Sequence, residues 1–310
     1  MKVFITGGTG FLGAALTEKL LAEGHLVTIL SRSRKIRSSS AGLSYAEGNP
    51  TRSGSWQEEV GNHDVVINLA GASIFRPWNT RNKEAIYTSR IHTTRNIVDA
   101  IAKHADKEIT LLSGSAVGFY GFQDDAELDE SGGPGDDFLA TVVKDWEAEA
   151  IKAEENGARV VLCRIGVILG KDGGALSKML SVFKWGIGSP LGSGKQWFSW
   201  VSLPDLVNIF LFLMSNKTIS GPVNCTSPYP VTNREMTKSL GRALHRPVFL
   251  PPVPAFLIKG FLGEFSDVFV KGQKVVPGKL LENGFGFEFP EIREAFAHLL
   301  NYHQTKNDDD

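Results

Sequence analysis

The sequence predicts an α/β fold, a doubly wound parallel sheet with a smaller C-terminal substrate lobe, and three observations carry that prediction. Short apolar runs alternate with longer amphipathic stretches through the first half of the chain. A glycine-rich turn joins the first run to the first amphipathic stretch. After Gly170 the rhythm changes to a segment rich in glycine and tryptophan, followed by a region punctuated by proline.

Val3 to Thr6 reads as a strand, Leu12 to Glu23 as a helix, Leu26 to Leu30 and Val65 to Leu69 as strands. Ile86 to Lys103 reads as a helix, Ile109 to Ser113 as a strand, Ala140 to Glu154 as a helix and Arg159 to Arg164 as a strand. Strands this apolar must be covered on both faces, and the alternation puts helices there; right-handed crossovers then leave few topologies. A dinucleotide-binding domain is expected over residues 1–170, with later strands returning to the sheet from about 200–230. Residues 171–310 are expected to form mainly the substrate lobe, with Pro204 to Met214 as a helix.

Of 310 residues, 42% are hydrophobic and 22% charged, and the formal net charge is -1. No excess basic field points to nucleic acid or an anionic membrane, so the expected partners are small molecules or a second copy. Val207 to Met214 and Pro252 to Leu262 are too short to span a bilayer. Cys163 and Cys225 have neither metal-ligand spacing nor a disulfide framework and read as buried fillers in a reducing compartment. His92, His104 and His245 are scattered, so no metal site is expected. The opening Lys2-Val3-Phe4-Ile5 reads as a strand rather than a signal peptide, and a cytoplasmic location is expected.

The turn is Thr6-Gly7-Gly8-Thr9-Gly10-Phe11-Leu12-Gly13, in which Gly7, Gly10 and Gly13 follow a G-x-x-G-x-x-G spacing. Binding a diphosphate requires a tight turn, a backbone without Cβ where the anion approaches, and close packing of helix on strand. Free N–H groups at the helix start then face the anion. With strand and helix flanking it, this turn predicts a Rossmann-type dinucleotide site, to which Thr9, Phe11 and Leu12 also belong. An acidic residue usually holds the ribose 2′-hydroxyl near the end of the second strand. Here that stretch reads Leu30-Ser31-Arg32-Ser33-Arg34-Lys35, with Arg37 close behind and no Asp or Glu between Gly24 and Ala46. A guanidinium suits a 2′-phosphate, so NADP(H) is the expected cofactor, with Ser31 and Arg32 at its phosphate. Leu69, Ala70 and Gly71 close the strand after Asp64 and would let adenosine and ribose approach; Asn68 either shares that role or pins a turn.

These pieces resemble the extended, atypical short-chain dehydrogenase/reductase superfamily, and within it the epimerase family protein branch of NAD-dependent epimerase/dehydratase-like proteins. The resemblance runs over nearly the whole chain. It rests on Thr6 to Gly13, Asn68 to Gly71, Ser89-Arg90-Ile91, Ser115 to Gly121, Asp145-Trp146-Glu147, Gly192-Ser193-Gly194 and Trp200 to Asp205. Leu262-Gly263-Glu264, Gly272 to Pro277 and Asn283-Gly284-Phe285 look like the small C-terminal domain of that branch. The resemblance implies a catalytic Ser at Ser115 and a Lys at Lys144, which would also hold the nicotinamide ribose. The tyrosine expected four residues before the lysine is replaced by Ala140. Tyr120 is the nearest substitute as acid, or else it packs or binds ligand. The resemblance also implies a homodimer through the helices near Ile86 to Lys103 and Ala140 to Glu154.

In the substrate lobe, Gly186, Gly188, Gly192 and Gly194 punctuate a loop with Trp197, Phe198 and Trp200, which suits either a pocket wall or packing. Asp205 reads as a helix N-terminal charge, Trp146 and Glu147 as packing and helix-surface residues, and Asp124 to Asp137 as a solvated loop or lid. The leading expectation is an NADP(H)-dependent oxidoreductase or epimerase-like enzyme acting on a small carbonyl or hydroxyl compound. Its rival, supported by Ala140, is a catalytically silent NADP(H)-binding sensor.

Overall fold

The structure is a computed structural model that describes residues 1–33 and 40–301; Arg34, Lys35 and Arg37 lie outside the described residues. Its centre is a seven-stranded sheet. Five strands come first in the chain: β1 (Lys2–Thr6), β2 (Leu26–Ser31), β3 (Leu43–Glu47), β4 (Val65–Asn68) and β5 (Thr110–Ala116). The spatial order is Gly221–Cys225, Arg159–Ile165, β5, β4, β1, β2, β3. β1 pairs in parallel with both β2 and β4, β2 with β3, and β4 with β5. The chain thus walks outward from β1 to β3, then crosses back to β4 on the other side of β1. That reversal leaves the loops after β1 and β4 side by side at the carboxyl ends of the strands, where open α/β sheets bind ligands.

Strand composition explains the layering. β4 is buried throughout and β1 from Val3 onward, so neither can face water on either side. Helices α1 (Phe11–Ala22), α2 (Trp56–Val60), α3 (Thr80–Ala102) and α4 (Phe138–Ile151) supply the cover. One core layer joins Phe4, Val66 and Leu111 of the sheet to Ile97 and Ile101 of α3, Ala150 of α4 and Trp56 of α2. α3 starts at Thr80, ahead of the expected Ile86, because the Asn79 side chain accepts the Asn82 amide at 2.9 Å and caps a first turn too polar to show a hydrophobic period. β3 escaped the sequence reading because Leu43-Ser44-Tyr45-Ala46-Glu47 is a half-buried edge strand with little apolar content.

Clustering of contacts divides the chain into two units. Unit 1 comprises 1–119, 136–164 and 207–223; unit 2 comprises 120–135, 165–206 and 224–310. Within unit 2, α5 (Gly174–Lys184) contributes Leu176 and Phe183 to a core with Trp200, Met236, Leu240, Phe296 and Leu299. The helix Asn233–Ala243 opens with a reciprocal capping box between Thr232 and Glu235. Asp205 stands in the first turn of the helix Leu203–Ser215, the N-terminal charge expected there, and it is also buried. Its carboxylate accepts the Ser202 hydroxyl at 2.7 Å and the amides of Glu288 (2.7 Å) and Phe289 (3.1 Å). The acidic run from Asp124 to Asp137 is largely exposed, as expected of a solvated loop, but it is anchored at three points. Glu127–Leu128 pairs in parallel with Lys274–Val275, Asp129 accepts from Ser131, and Asp137 caps α4 through the Leu139 and Ala140 amides.

Candidate functional site

The glycine turn is built as the spacing requires. Gly7 sits at φ +75°, in the left-handed region, and a Cβ there would come within 2.9 Å of the Ala70 amide nitrogen and 2.8 Å of the Leu69 carbonyl carbon. Gly10 N donates to Gly7 O at 2.9 Å and closes the turn. A Cβ on Gly13 would collide with the Gly7 carbonyl oxygen, so α1 rests directly on the turn. Gly10 is the N-cap of α1, with no side chain capping the helix and no acidic residue in its first turn. The first amides of α1 are therefore left for a ligand, and the dipole favours an anion. Thr9, Phe11 and Leu12 lie on this turn and the helix start.

Polar side chains hold the turn against the loop after β4. Thr6 donates to Asn68 at 2.8 Å, Asn68 donates to Thr94 at 2.9 Å, and the Trp146 indole donates to the same Thr94 hydroxyl at 2.8 Å. Asn68 thus pins β4 to β1 and α3. Leu69, Ala70 and Gly71 follow at the carboxyl end of β4. At the end of β2, Ser31 donates to the Ser33 carbonyl at 3.1 Å, and Arg32 just beyond it is exposed. The register sets Glu47, at the end of β3, beside Ser31; this carboxylate lies beyond the stretch the sequence reading searched.

The polar centre of unit 1 is a buried trio that joins β5, α4 and the strand Arg159–Ile165. Ser115 is 2.5 Å from Glu147 Oε1, and Arg164 reaches both carboxylate oxygens, through Nε and Nη2, at 2.8 Å each. All three side chains are buried, and the Arg164 guanidinium lies 3.5 Å from the Phe119 ring centroid. Glu147, expected on the helix surface, is instead the hub. A carboxylate facing a guanidinium can only accept, so the Ser115 proton is spent on Glu147 and its remaining lone pairs can only accept. Sequence reasoning missed Arg164; the signal was an arginine between Cys163 and Ile165 at the end of the apolar run Val160-Val161-Leu162-Cys163, where a buried guanidinium needs a partner.

Lys144 lies on the exposed side of α4, and no bond joins it to Ser115. Ala140, four residues before Lys144, is fully buried. Tyr120, in unit 2, is fully buried and donates to Asn224 Oδ1 at 2.7 Å. The tyrosine that does reach α4 is Tyr87, which donates to Asp145 at 3.0 Å. That bond pushes its phenol pKa up, away from the range useful for proton transfer near neutrality. In unit 2, Trp200 is buried and donates to the Tyr229 carbonyl, while Trp197 donates to Asp125 beneath Lys274. Among the described residues no cluster of His, Cys, Asp or Glu could hold a metal ion, and no helix is long and apolar enough to cross a membrane.

The model of the NAD dependent epimerase/dehydratase family matches residues 3–226, and that of a domain of unknown function, DUF1731, matches residues 253–299. The chain is 40% identical over 306 residues to the epimerase family protein SDR39U1 homolog, chloroplastic, of Arabidopsis thaliana, covering 97% of this chain and 87% of that one. It is 38% identical to the epimerase family protein YfhF of Bacillus subtilis (strain 168), covering 98% and 100%. The crystal structure of human epimerase family protein SDR39U1 (isoform 2) with NADPH superposes with a TM-score of 0.85 at 33% identity, over 97% of this chain and 99% of that one. The chain belongs to the NAD dependent epimerase/dehydratase family, and to its epimerase family protein branch.

Proposed function

We propose that the chain binds NADP(H) on unit 1 and works as an oxidoreductase or epimerase-like enzyme on a small compound bearing a carbonyl or hydroxyl group. The observation that carries this reading is the turn at Gly7, Gly10 and Gly13: a side chain at Gly7 would strike the backbone of Leu69 and Ala70, one at Gly13 would strike the Gly7 carbonyl, and no side chain caps the helix that follows. The diphosphate would lie on the first amides of α1, with Ser31 and Arg32 at the 2′-phosphate, Leu69 to Gly71 along the ribose, and Lys144 as a further ribose contact. NADPH in the human relative's crystal structure supports the choice of cofactor. The nicotinamide supplies or takes up a hydride when bound.

Ser115 would accept a hydrogen bond from a ligand hydroxyl, because Glu147 already takes its proton. This is the reverse of a serine that donates to a substrate carbonyl. With Ala140 in place of a tyrosine, the acid or base must come from a group other than the usual phenol. A second reading, a catalytically silent NADP(H) sensor, is favoured by the engagement of Tyr120 with Asn224. The two separate by turnover. Purified protein saturated with NADPH or NADP⁺ and screened against aldehydes, ketones and alcohols should oxidise or reduce at least one class. Tight cofactor binding without turnover across the screen would replace the enzyme by the sensor. Residence in the cytoplasm and pairing of two copies through α3 and α4 complete the proposal.

A further inference from the structure

Among the described residues of unit 1, four arginines have defined hydrogen-bond partners. Arg95 pairs with Glu149, and Arg164 with Glu147. Arg159 has no carboxylate but is saturated: Nε donates to Thr110 Oγ1, Nη1 to the carbonyls of Asn216 and Ile219, and Nη2 to that of Leu213. Arg90 differs from all three. Only its Nη1 is used, donating to the carbonyls of Ala72 (3.1 Å) and Ile86 (3.0 Å), and among the described residues no carboxylate pairs with it.

The surroundings fix this guanidinium in place. It lies over the Trp146 ring, 5.2 Å from the centroid, and flat against Gly71, where a Cβ would stand 3.2 Å from its Cζ. The neighbouring Ser89 accepts the Ala72 amide at 2.9 Å, so two successive residues of α3 pin the loop after β4. That loop is the one against which the phosphate turn rests, since Gly7 approaches Leu69 and Ala70. Burial pushes the Arg90 pKa down to about 10, a desolvation that an incoming anion would relieve. A cation held rigid, half its fork unused, against the loop at the carboxyl end of β4 is a prepared site for a planar or tetrahedral oxyanion.

We infer that Arg90 binds an oxyanion of the ligand, a phosphate-type or carboxylate group, through its free Nε and Nη2 edge. The inference rests on the reading of this loop as a ligand site. The oxyanion could belong to the cofactor diphosphate or to an anionic substrate.

The test uses inorganic phosphate and pyrophosphate on the full chain free of cofactor, read as an upward shift of the melting temperature with anion concentration. Arg90→Gln should weaken anion binding at least tenfold, and Arg90→Lys, which keeps the charge but not the fork, should weaken it less. If Arg90→Gln also weakens NADPH at least tenfold, the oxyanion is the cofactor's. If NADPH affinity is unchanged and phosphate no longer binds the NADPH-saturated protein, the oxyanion is the substrate's. Should Arg90→Gln fail to fold, Arg90→Lys decides alone: a loss of threefold or more at unchanged melting temperature supports the inference. Equal anion binding by the wild type and a folded variant, or none by the wild type, overturns it. Failure of NADPH to bind while phosphate still requires Arg90 would instead count against the cofactor reading alone.

Discussion

The Ser115 hydroxyl donates to Glu147 Oε1 across 2.5 Å, inside a buried ion pair with Arg164. Removing the carboxylate charge strands a buried guanidinium, whereas removing the hydroxyl deletes one hydrogen bond. Glu147→Gln should therefore cost about 3–5 kcal/mol and Ser115→Ala about 1 kcal/mol. The double variant Glu147→Leu, Arg164→Met should recover most of the loss, because two apolar groups replace the pair together. Urea denaturation of the four proteins checks the order. A Glu147→Gln chain as stable as the wild type would mean that the pair contributes nothing.

Gly13→Ala places a methyl group against the Gly7 carbonyl oxygen, so α1 must withdraw from the turn. Cofactor affinity should fall at least tenfold, about 1.4 kcal/mol, and the melting temperature by several degrees. Gly24→Ala is the control: nothing lies within contact of a Cβ there, so its effect comes from the positive φ alone and leaves cofactor affinity unchanged. Equal cofactor affinity in Gly13→Ala and wild type would show that the ligand does not use this turn.

His63 connects stability to pH. It is buried beneath β1, edge-on to Phe4, with Nδ1 2.7 Å from the Glu59 carbonyl and Nε2 2.7 Å from the Thr28 hydroxyl. A carbonyl can only accept, so the neutral ring donates from Nδ1 and accepts at Nε2. Burial is the largest influence and lowers its pKa below the ordinary 6.5. The neutral form is favoured in the fold, so this contribution is complete above about pH 6.5 and is lost as pH falls through the lowered value. His63→Gln should flatten the pH dependence of the unfolding free energy just below pH 6.5, measured by denaturation at half-unit steps. An unchanged slope would show that His63 titrates normally.

Tyr120→Phe separates packing from chemistry. It deletes the bond to Asn224 and leaves that buried oxygen short of a donor, at a cost of about 1–3 kcal/mol. Turnover, once a substrate is found, should stay within about threefold of the wild type if the phenol only positions Asn224. A loss of a hundredfold or more at unchanged KM is the signature of a missing general acid, since such groups contribute about 10²–10⁴.

What the sequence made legible was local, and what it hid was tertiary. The turn from Thr6 to Gly13 could be read because strand, glycines and helix are contiguous, and Gly7 does take the left-handed backbone that its position in the motif requires. The alternation of Val3 to Thr6, Val65 to Leu69 and Ile109 to Ser113 with helical stretches sufficed for a parallel sheet, since only two-sided burial explains such strands. Glu147 looked like a surface residue because its partners lie 17 and 32 positions away, at Arg164 and Ser115. Asp205 hid its role for the same reason: the amides it accepts belong to Glu288 and Phe289. The first turn of α3 and the edge strand β3 were missed because neither carries a clean hydrophobic period.

The central claim is that this chain prefers NADP(H), with Arg32 at the 2′-phosphate. The most direct measurement is a fluorescence titration of wild type and Arg32→Ala with NADPH and NADH. The account predicts that the wild type binds NADPH at least tenfold more tightly than NADH, and that Arg32→Ala loses NADPH affinity while keeping that for NADH. Equal affinities in the wild type, or an Arg32→Ala chain that binds NADPH unchanged, would contradict it and direct attention to Glu47, which the register sets beside Ser31, as a partner for an unphosphorylated ribose.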